Sequence, residues 1–265
     1  MNKLYVSLFF SFLFITSFSS CQSNKKQSVQ FRDSLKALNS TDSSILIYVE
    51  GLEKLKNSLE FHESPVYTKG DYSFFTSVFK KDSLPVIYTE YGDAGEYGFN
   101  EKKYFLENGE LVFYVEKTKQ ASSNEKPSYQ FKESRLYFRN NVFLKAEERI
   151  AENDEQLNQL PFTPLDEALV DKNKQLDFER LDKTIAEVGD FDLTFDRIDS
   201  QSVSKQYLVM GNKSAYESAY LIKKTDSLLA KIKENPYAFK GKKFKVQHVK
   251  QGTRMIYKSG ELSTF

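Results

Sequence analysis

The sequence has few of the residue types on which most catalytic and metal sites depend. It contains one cysteine, two histidines and no tryptophan among 265 residues. A single cysteine excludes an intramolecular disulfide and a multi-cysteine zinc site, and two histidines leave little for a histidine-based metal centre or a catalytic triad. The sequence also lacks a Gly-x-Ser-x-Gly elbow, a His-Glu-x-x-His pair and a phosphate-binding loop. It therefore indicates no nucleophile, and we predict no cofactor and no metal site.

An excess of charge of either sign is absent as well. Lys and Arg number 38 and Asp and Glu 37, which argues against a nucleic-acid partner because nucleic-acid-binding domains carry a basic excess. Two segments still differ in sign, since residues 146–199 are acidic and residues 231–265 are basic. Either the basic segment is a patch for anionic lipid, lipopolysaccharide or an acidic partner, or the two segments face each other or are simply solvated. In both cases strand alternation predicts that Lys243 and Lys245 point outward, opposite Phe244.

The amino terminus has the pattern of a secretory signal peptide. Lys3 precedes an apolar run from Leu4 to Ile15, and small serines follow. The run is too short for a membrane-spanning helix, which needs about 20 apolar residues, but it is typical of an export signal. The only cysteine, Cys21, comes directly after the serines. We therefore predict that residues 1–20 are a signal peptide.

The segment Phe18-Ser19-Ser20-Cys21 resembles the lipobox of bacterial lipoproteins of the Bacteroidota type. The resemblance implies that the Cys21 thiol receives a diacylglycerol and that the new amino terminus is acylated, so that Cys21 is the lipid attachment site. Lasting membrane attachment needs more than one acyl chain, and a lipid of this kind supplies them. Ordinary cleavage after Ser19, without lipidation, is the alternative.

The polar residues 21–28 are predicted to be a tether between the lipid and the folded part. In the group that the lipobox resembles, surface export is linked to acidic residues just after the cysteine, and Lys25 and Lys26 stand there instead. The resemblance therefore implies an outer-membrane lipoprotein that is lipid-anchored and faces the periplasm.

Residues 29–150 are predicted to form helices followed by an antiparallel β-meander. Apolar residues recur at helical spacing over 29–38 and 45–59. Asn108-Gly109 is a strong hairpin signal, because both central residues of a type I′ turn need a positive φ. Aromatic and β-branched runs predict six strands: Tyr72–Phe79, Pro85–Tyr91, Tyr97–Leu106, Leu111–Thr118, Tyr129–Phe138 and Val142–Ala146.

Residues 151–265 are predicted to form an acidic, partly helical segment and a smaller strand–helix–hairpin unit. Polar and apolar residues alternate over 190–199, which is typical of a half-buried strand. Ser214 and Glu217 have the spacing of a capping box, which predicts a helix from there to Lys233. The other predicted strands are Lys205–Met210, Lys242–Lys250 and Arg254–Tyr257. The fold class is therefore α+β, with the two parts in one domain or in two.

Three acidic residues form the main candidate for catalysis. Glu90, Asp93 and Glu96 lie close together in a glycine-rich segment. Paired carboxylates perform general acid–base catalysis when their environments separate their pKa values. Acidic residues beside glycines also form turns, and a turn is the favoured interpretation here.

The remaining candidates have a structural interpretation as well. The segment from Asp171 resembles a calcium-binding loop, but Leu176 stands in place of the sharp-turn glycine, so we expect a solvated loop and no calcium binding. His62 and His248 have no partner at ligand spacing and are expected to be structural. Five tyrosines of the meander could stack against sugars or peptides, although cross-strand packing is favoured: Tyr72, Tyr88, Tyr104, Tyr114 and Tyr137.

Together these observations predict a non-catalytic cell-envelope lipoprotein that interacts with an envelope protein or a ligand such as a glycan. The membrane itself is a partner through the lipid on Cys21. An inhibitor or immunity-type lipoprotein that blocks a hydrolase is one alternative, and an acid–base hydrolase is another.

Overall fold

The computed structural model describes residues 42–121, 129–140, 142–166, 177–202 and 205–263. The predicted signal peptide, Cys21, the tether, the predicted helix over 29–38 and the calcium-like loop from Asp171 to residue 176 lie outside these residues. The chain divides into two compact units, residues 1–47 and residues 48–265, and the second holds every described strand.

Helix α1 covers residues 42–55, close to the helix predicted over 45–59, and a single 3₁₀ turn, Lys56–Ser58, follows it. Its carboxyl-terminal half lies on the sheet. The Tyr48 hydroxyl donates to the carbonyl oxygen of Leu106 at 2.6 Å, and Lys103 Nζ lies 3.1 Å from the carboxylate of Glu53.

Six long antiparallel strands form a meander in the order of the chain. They correspond to the six predicted strands and are longer at most ends: β3 (Tyr72–Lys81), β4 (Leu84–Asp93), β5 (Gly98–Glu107), β6 (Glu110–Ala121), β7 (Tyr129–Arg139) and β8 (Val142–Ala151). The turn between β5 and β6 has the positive φ angles expected of the hairpin signal, 53° at Asn108 and 82° at Gly109. Helix α2 (Asp154–Gln159) and the short edge strand β9 (Thr163–Leu165) follow β8.

Strands β1 (Glu60–Glu63) and β2 (Tyr67–Lys69) lie end to end along β3. The break between them is bridged by Ser64, whose Oγ accepts a hydrogen bond from the backbone N–H of Thr76 at 3.0 Å. The two short strands therefore act as one interrupted strand.

Five further strands extend the sheet beyond β2. They are β10 (Thr194–Ser202), β11 (Lys205–Gly211), β12 (Glu217–Ile222), β13 (Phe244–Gln251) and β14 (Arg254–Leu262). Strand β12 pairs with β2 at Glu217 and with β14 at Tyr220 and Leu221, and the β12–β14 pairing is parallel. The described fold is thus mostly an antiparallel sheet with a few helices.

The helix predicted from Ser214 to Lys233 is wrong in its first half. Ala215 has a φ of 63°, which is outside the right-handed helical region, and β12 follows it. The Ser214 hydroxyl donates to Asp190 at 2.8 Å instead of capping a helix, and the Glu217 carboxylate pairs with Arg197 on β10. Helix α4 (Ser227–Glu234) begins later, at the N-cap Asp226.

One face of the meander carries two hydrophobic cores, and helix α3 (Phe178–Ala186) lies between them. Leu181 of α3 packs with Val78, Tyr88 and their neighbours in one core. The other core joins Tyr67 and Phe74 to the inner residues of β10–β14 and α4. A hydrogen bond links this second core to α3: the Tyr67 hydroxyl donates to the carbonyl oxygen of Thr184 at 3.3 Å.

Candidate functional site

A cleft opens where the two cores meet, between α3 and the turn that precedes β12. Its volume is about 340 Å³, and the walls combine charged with aromatic side chains. The lining residues are Lys69, Tyr72, Phe74, Glu90, Lys102, Arg180 and Tyr216. They come from the β2 and β3 hairpin, the neighbouring strands β4 and β5, the first turn of α3 and the 212–216 turn.

Glu90 forms the floor of the cleft. Its side chain is only 3% exposed, and its two carboxylate oxygens have different partners. Lys102, directly opposite on β5, donates to Oε1 at 2.8 Å, and Arg180 of α3 donates to Oε2. A buried carboxylate needs such partners, because leaving the charge unpaired in a low-dielectric site is costly.

The ion pairs decide the charge of Glu90. Burial raises the pKa of this carboxyl, but the positive charges and hydrogen bonds of Lys102 and Arg180 outweigh burial and hold the pKa below its usual value. Glu90 is therefore a carboxylate at neutral pH. A general acid needs the opposite shift, so this environment suits electrostatic recognition better than proton donation.

Tyr72 crosses the cleft because β4 has a glycine beneath it. A Cβ atom on Gly92 would lie 1.8 Å from the Tyr72 hydroxyl oxygen, so a larger residue at this position would displace the ring. The same hydroxyl donates to Asn100 Oδ1 on β5 at 3.1 Å. Gly92 and Asn100 thus fix the orientation of one aromatic wall.

Tyr216 forms the opposite wall, and the turn before β12 holds it in place. The Asn212 side chain accepts hydrogen bonds from the backbone N–H groups of Ser214 and Tyr216 and donates to the carbonyl oxygen of Asp190. Lys69 lies over the Tyr216 ring, with Nζ 4.7 Å from the ring centroid. A cation in this position is attracted by the face of the ring.

The three acidic residues singled out in the sequence do not form one site. Glu90 belongs to the buried face of β4, so the turn interpretation is wrong for this residue. Asp93 lies on the other face, since successive residues of a strand point to opposite sides, and it accepts a hydrogen bond from the backbone of Gly95 at 2.8 Å. Glu96 is exposed in a 3₁₀ turn. Glu96 lies in a turn as favoured, whereas Asp93 is the last residue of β4 and caps that turn.

The tyrosines of the meander divide into two groups. Tyr88, Tyr104 and Tyr114 are core residues with exposures of 2%, 6% and 3%, which agrees with the structural interpretation. Tyr137 is also buried and donates to Glu147 at 2.6 Å. Of the five, Tyr72 alone lines the cleft.

The histidines contact neighbouring side chains. His62 lies in β1, not at a helix end, with Nε2 2.6 Å from Glu60 Oε1. His248 is half-buried, with its ring 5.3 Å from that of Tyr220. Within the described ranges, no three His, Cys, Asp or Glu side chains are grouped so that they could hold a metal ion. None of the helices in the described part of the chain is long and apolar enough to cross a membrane.

The basic and acidic segments touch each other. Lys243 Nζ lies 2.7 Å from the carboxylate of Asp192, and Lys240 Nζ lies 3.4 Å from that of Asp196. These contacts support the interpretation in which the two segments face one another. Phe244 is buried and Lys245 is exposed, as the strand alternation predicts, but Lys243 precedes β13 and is half-buried, so the outward prediction is wrong for this residue.

A second buried glutamate lies on the opposite face of the meander. Glu133 of β7 accepts hydrogen bonds from Arg149 at 2.5 Å and from Arg135 at 3.2 Å, and Lys117 Nζ is 3.9 Å away. The Phe162 ring covers both guanidinium groups, at 3.7 Å from Arg135 and 4.6 Å from Arg149. The ring thus covers one side of this cluster and leaves the Arg149 side chain only 11% exposed, while Arg135 and Lys117 remain 28% and 36% exposed.

The residues that build the cleft have no motif in the sequence. Arg180 and Tyr216 are distant from Glu90 along the chain and reach it only through the packing of α3 and the 212–216 turn. Of the lining residues, Lys102 is the one that the sequence could have indicated, because it lies on the same face of β5 as the buried Tyr104. A charged residue at an inward position of a strand indicates a buried partner.

No protein-family model matches the sequence. Comparison with the curated proteins finds no significant match, and comparison with the solved structures finds none either.

Proposed function

We propose that this protein is a non-catalytic lipoprotein of the cell envelope, attached to the outer membrane through Cys21 and facing the periplasm. In this proposal the cleft at Glu90 is the place where it binds an envelope ligand or partner protein. The anchor is inferred from the lipobox-like Phe18-Ser19-Ser20-Cys21 alone. The binding role is supported by the cleft.

The observation that carries the binding role is the ionised, fully paired state of Glu90 in an open cleft. Both carboxylate oxygens are held by cations, and the other acids of the original candidate set lie elsewhere. Concave sites with aromatic walls and a few placed polar groups are typical of ligand binding. An arrangement of this kind can orient a ligand without reacting with it.

The anchor is tested by metabolic labelling with a fatty acid. We expect the wild-type protein to take up label, and the Cys21→Ser variant to take up none and to be released from membranes by mild washing. Intact cells should protect the protein from added protease until the outer membrane is permeabilised. A wild-type protein that takes up no label would contradict the anchor, and digestion in intact cells would contradict the periplasmic orientation.

The binding role is tested by crosslinking in the envelope. A resident envelope component should be recovered with wild-type protein and with Glu96→Gln, which alters only an exposed turn, and its recovery should fall with Tyr216→Ala. Recovery of a hydrolase whose activity the protein blocks would favour the inhibitor alternative. A hydrolytic activity of the protein itself, lost in Glu90→Gln and retained in Glu96→Gln, would replace the proposal.

A further inference from the structure

We infer that the cleft at Glu90 takes a compact organic anion: a carboxylate or phosphate group joined to a flat ring. This inference rests on the proposed binding role and names the chemistry of the ligand. It follows from the charge of the lining, the placement of two donors on the floor and the aromatic walls.

The lining carries more positive than negative charge. Lys69, Lys102 and Arg180 are cations, and Glu90 is the one carboxylate among the lining residues. Two positive charges thus remain after Glu90 is neutralised. A concave site lined by one sign of charge concentrates ions of the other sign.

Three acidic side chains on the surrounding elements have partners of their own. Glu116 stands opposite Lys102 on β6, where it interacts with the buried Tyr114. Asp182 of α3 accepts a hydrogen bond from the Tyr88 hydroxyl at 2.6 Å, and Asp177 caps the amino terminus of α3. None of the three is among the residues that line the cleft.

Glu90 holds two donors at fixed positions. Because Lys102 binds one carboxylate oxygen and Arg180 the other, the ammonium and the guanidinium are kept side by side on the floor. Their side chains remain 23% and 33% exposed. Donors that are already oriented lose little conformational entropy when an anion binds, and a guanidinium presents a planar fork suited to carboxylate or phosphate oxygens.

The walls select for a ring beside the anionic group. Tyr72 and Tyr216 face the cleft with Phe74 at its base, and the Tyr72 ring is held in place through Gly92 and Asn100. A volume of about 340 Å³ is near the lower end of the range for small-molecule sites. The ligand is therefore the size of a single substituted ring rather than a chain.

The experiment is calorimetric titration of the purified protein with four probes. Phenyl phosphate and benzoate carry a ring and a negative charge, benzyl alcohol carries the ring alone, and inorganic phosphate carries the charge alone. We expect saturable one-to-one binding of at least one ring-bearing anion, at least tenfold tighter than either control probe and weakened by added salt. The stronger of the two anions distinguishes a phosphate source from a carboxylate source.

Two variants locate the binding. Lys69→Gln removes a cation at the rim without touching the Glu90 ion pairs, and Gly92→Ala displaces Tyr72 without changing any charge. Each should weaken the ring-bearing anion at least tenfold, whereas Lys231→Gln, an exposed lysine on α4, should leave its affinity unchanged. Circular dichroism checks that each variant is folded, and Lys69→Gln decides the question if Gly92→Ala is not.

The ligand assignment is overturned if neither ring-bearing anion binds saturably, if benzyl alcohol binds as tightly as they do, or if folded Lys69→Gln binds like wild type. These outcomes are independent of fatty-acid labelling at Cys21. A labelled protein that binds no anion loses only the ligand assignment, and an unlabelled protein that binds the anion loses only the anchor.

Discussion

Glu90 and Glu133 occupy equivalent environments by the simplest measures. Each is 3% exposed, each lies in the middle of a meander strand, and each is held by at least two cations. They differ in what lies above the ion pairs. The Phe162 ring lies over the two guanidinium groups at Glu133, whereas the cations around Glu90 border a cleft.

In the proposed function the two ion clusters serve different purposes. Around Glu133 the aromatic ring and the carbonyl oxygen of Leu160, which accepts from Arg149, hold Arg149 within the fold. Around Glu90 the partners stay accessible to a ligand. Burial of a charged residue thus indicates a binding site only when the surrounding donors face an opening.

The largest expected effect is on stability at Glu133. Glu133→Gln should lower the free energy of unfolding by about 3 to 5 kcal/mol, because it leaves Arg149, only 11% exposed beneath Phe162, without its counter-charge. Glu90→Gln should cost less, about 1 to 3 kcal/mol, since Lys102 and Arg180 can turn toward solvent.

Urea unfolding of both variants measures this difference, with the exposed Glu152→Gln as a control that should match wild type. A larger loss of stability for Glu90→Gln than for Glu133→Gln would contradict the distinction between the cluster beneath Phe162 and the cluster that borders the cleft.

Removing the Phe162 ring should expose the two guanidinium groups at Glu133. Phe162→Ala takes away a ring that contacts two guanidinium groups, each contact being worth about 0.5 to 2 kcal/mol. We expect a loss of about 2 kcal/mol in the free energy of unfolding, and a larger dependence of stability on salt. If the loss is negligible, the ring only rests on a cluster that is stable without it.

Acid should remove the difference between wild type and Glu90→Gln. The pKa of Glu90 is below its usual value of 4.5 in the folded protein, so its ion pairs stabilise the fold fully above that value. This contribution is lost as the pH falls through the folded-state pKa. The stability difference should be constant between neutral pH and about pH 5 and shrink below it; a difference that grows in acid would mean that the pKa is raised.

The smallest expected effect is on the basic segment. Lys243→Glu combined with Lys245→Glu should change the free energy of unfolding by less than about 1 kcal/mol, the usual scale for exposed ion pairs. Lys243 is half-buried but pairs with the exposed Asp192, and Lys245 is exposed. Thermal unfolding of the double variant checks this, and a loss of several kcal/mol would show that the two lysines belong to a packed surface.

The sequence predicts the meander better than the cleft, because the meander depends on interactions between residues that are close together in the chain. Asn108-Gly109 and the alternating strands act through neighbouring residues, so their pattern is legible without tertiary structure. The helix predicted from Ser214 failed because Asn212 and Asp190 impose a turn there, and Asp190 is distant in the sequence. The cleft is the extreme case, since Glu90 meets Arg180 and Tyr216 only after α3 and β12 have packed.

The pairing of β2 with β12 joins Thr68 to Glu217, a separation of about 150 residues, and such long-range contacts slow folding. The hairpins of the meander close over short loops and can form while the carboxyl-terminal part of the chain is still being synthesised. The junction at β12 must wait for the last strands, because β14 completes it. Since Lys69 and Tyr216 lie at this junction, we expect the cleft to be assembled last, so that ligand binding reports completion of the whole chain.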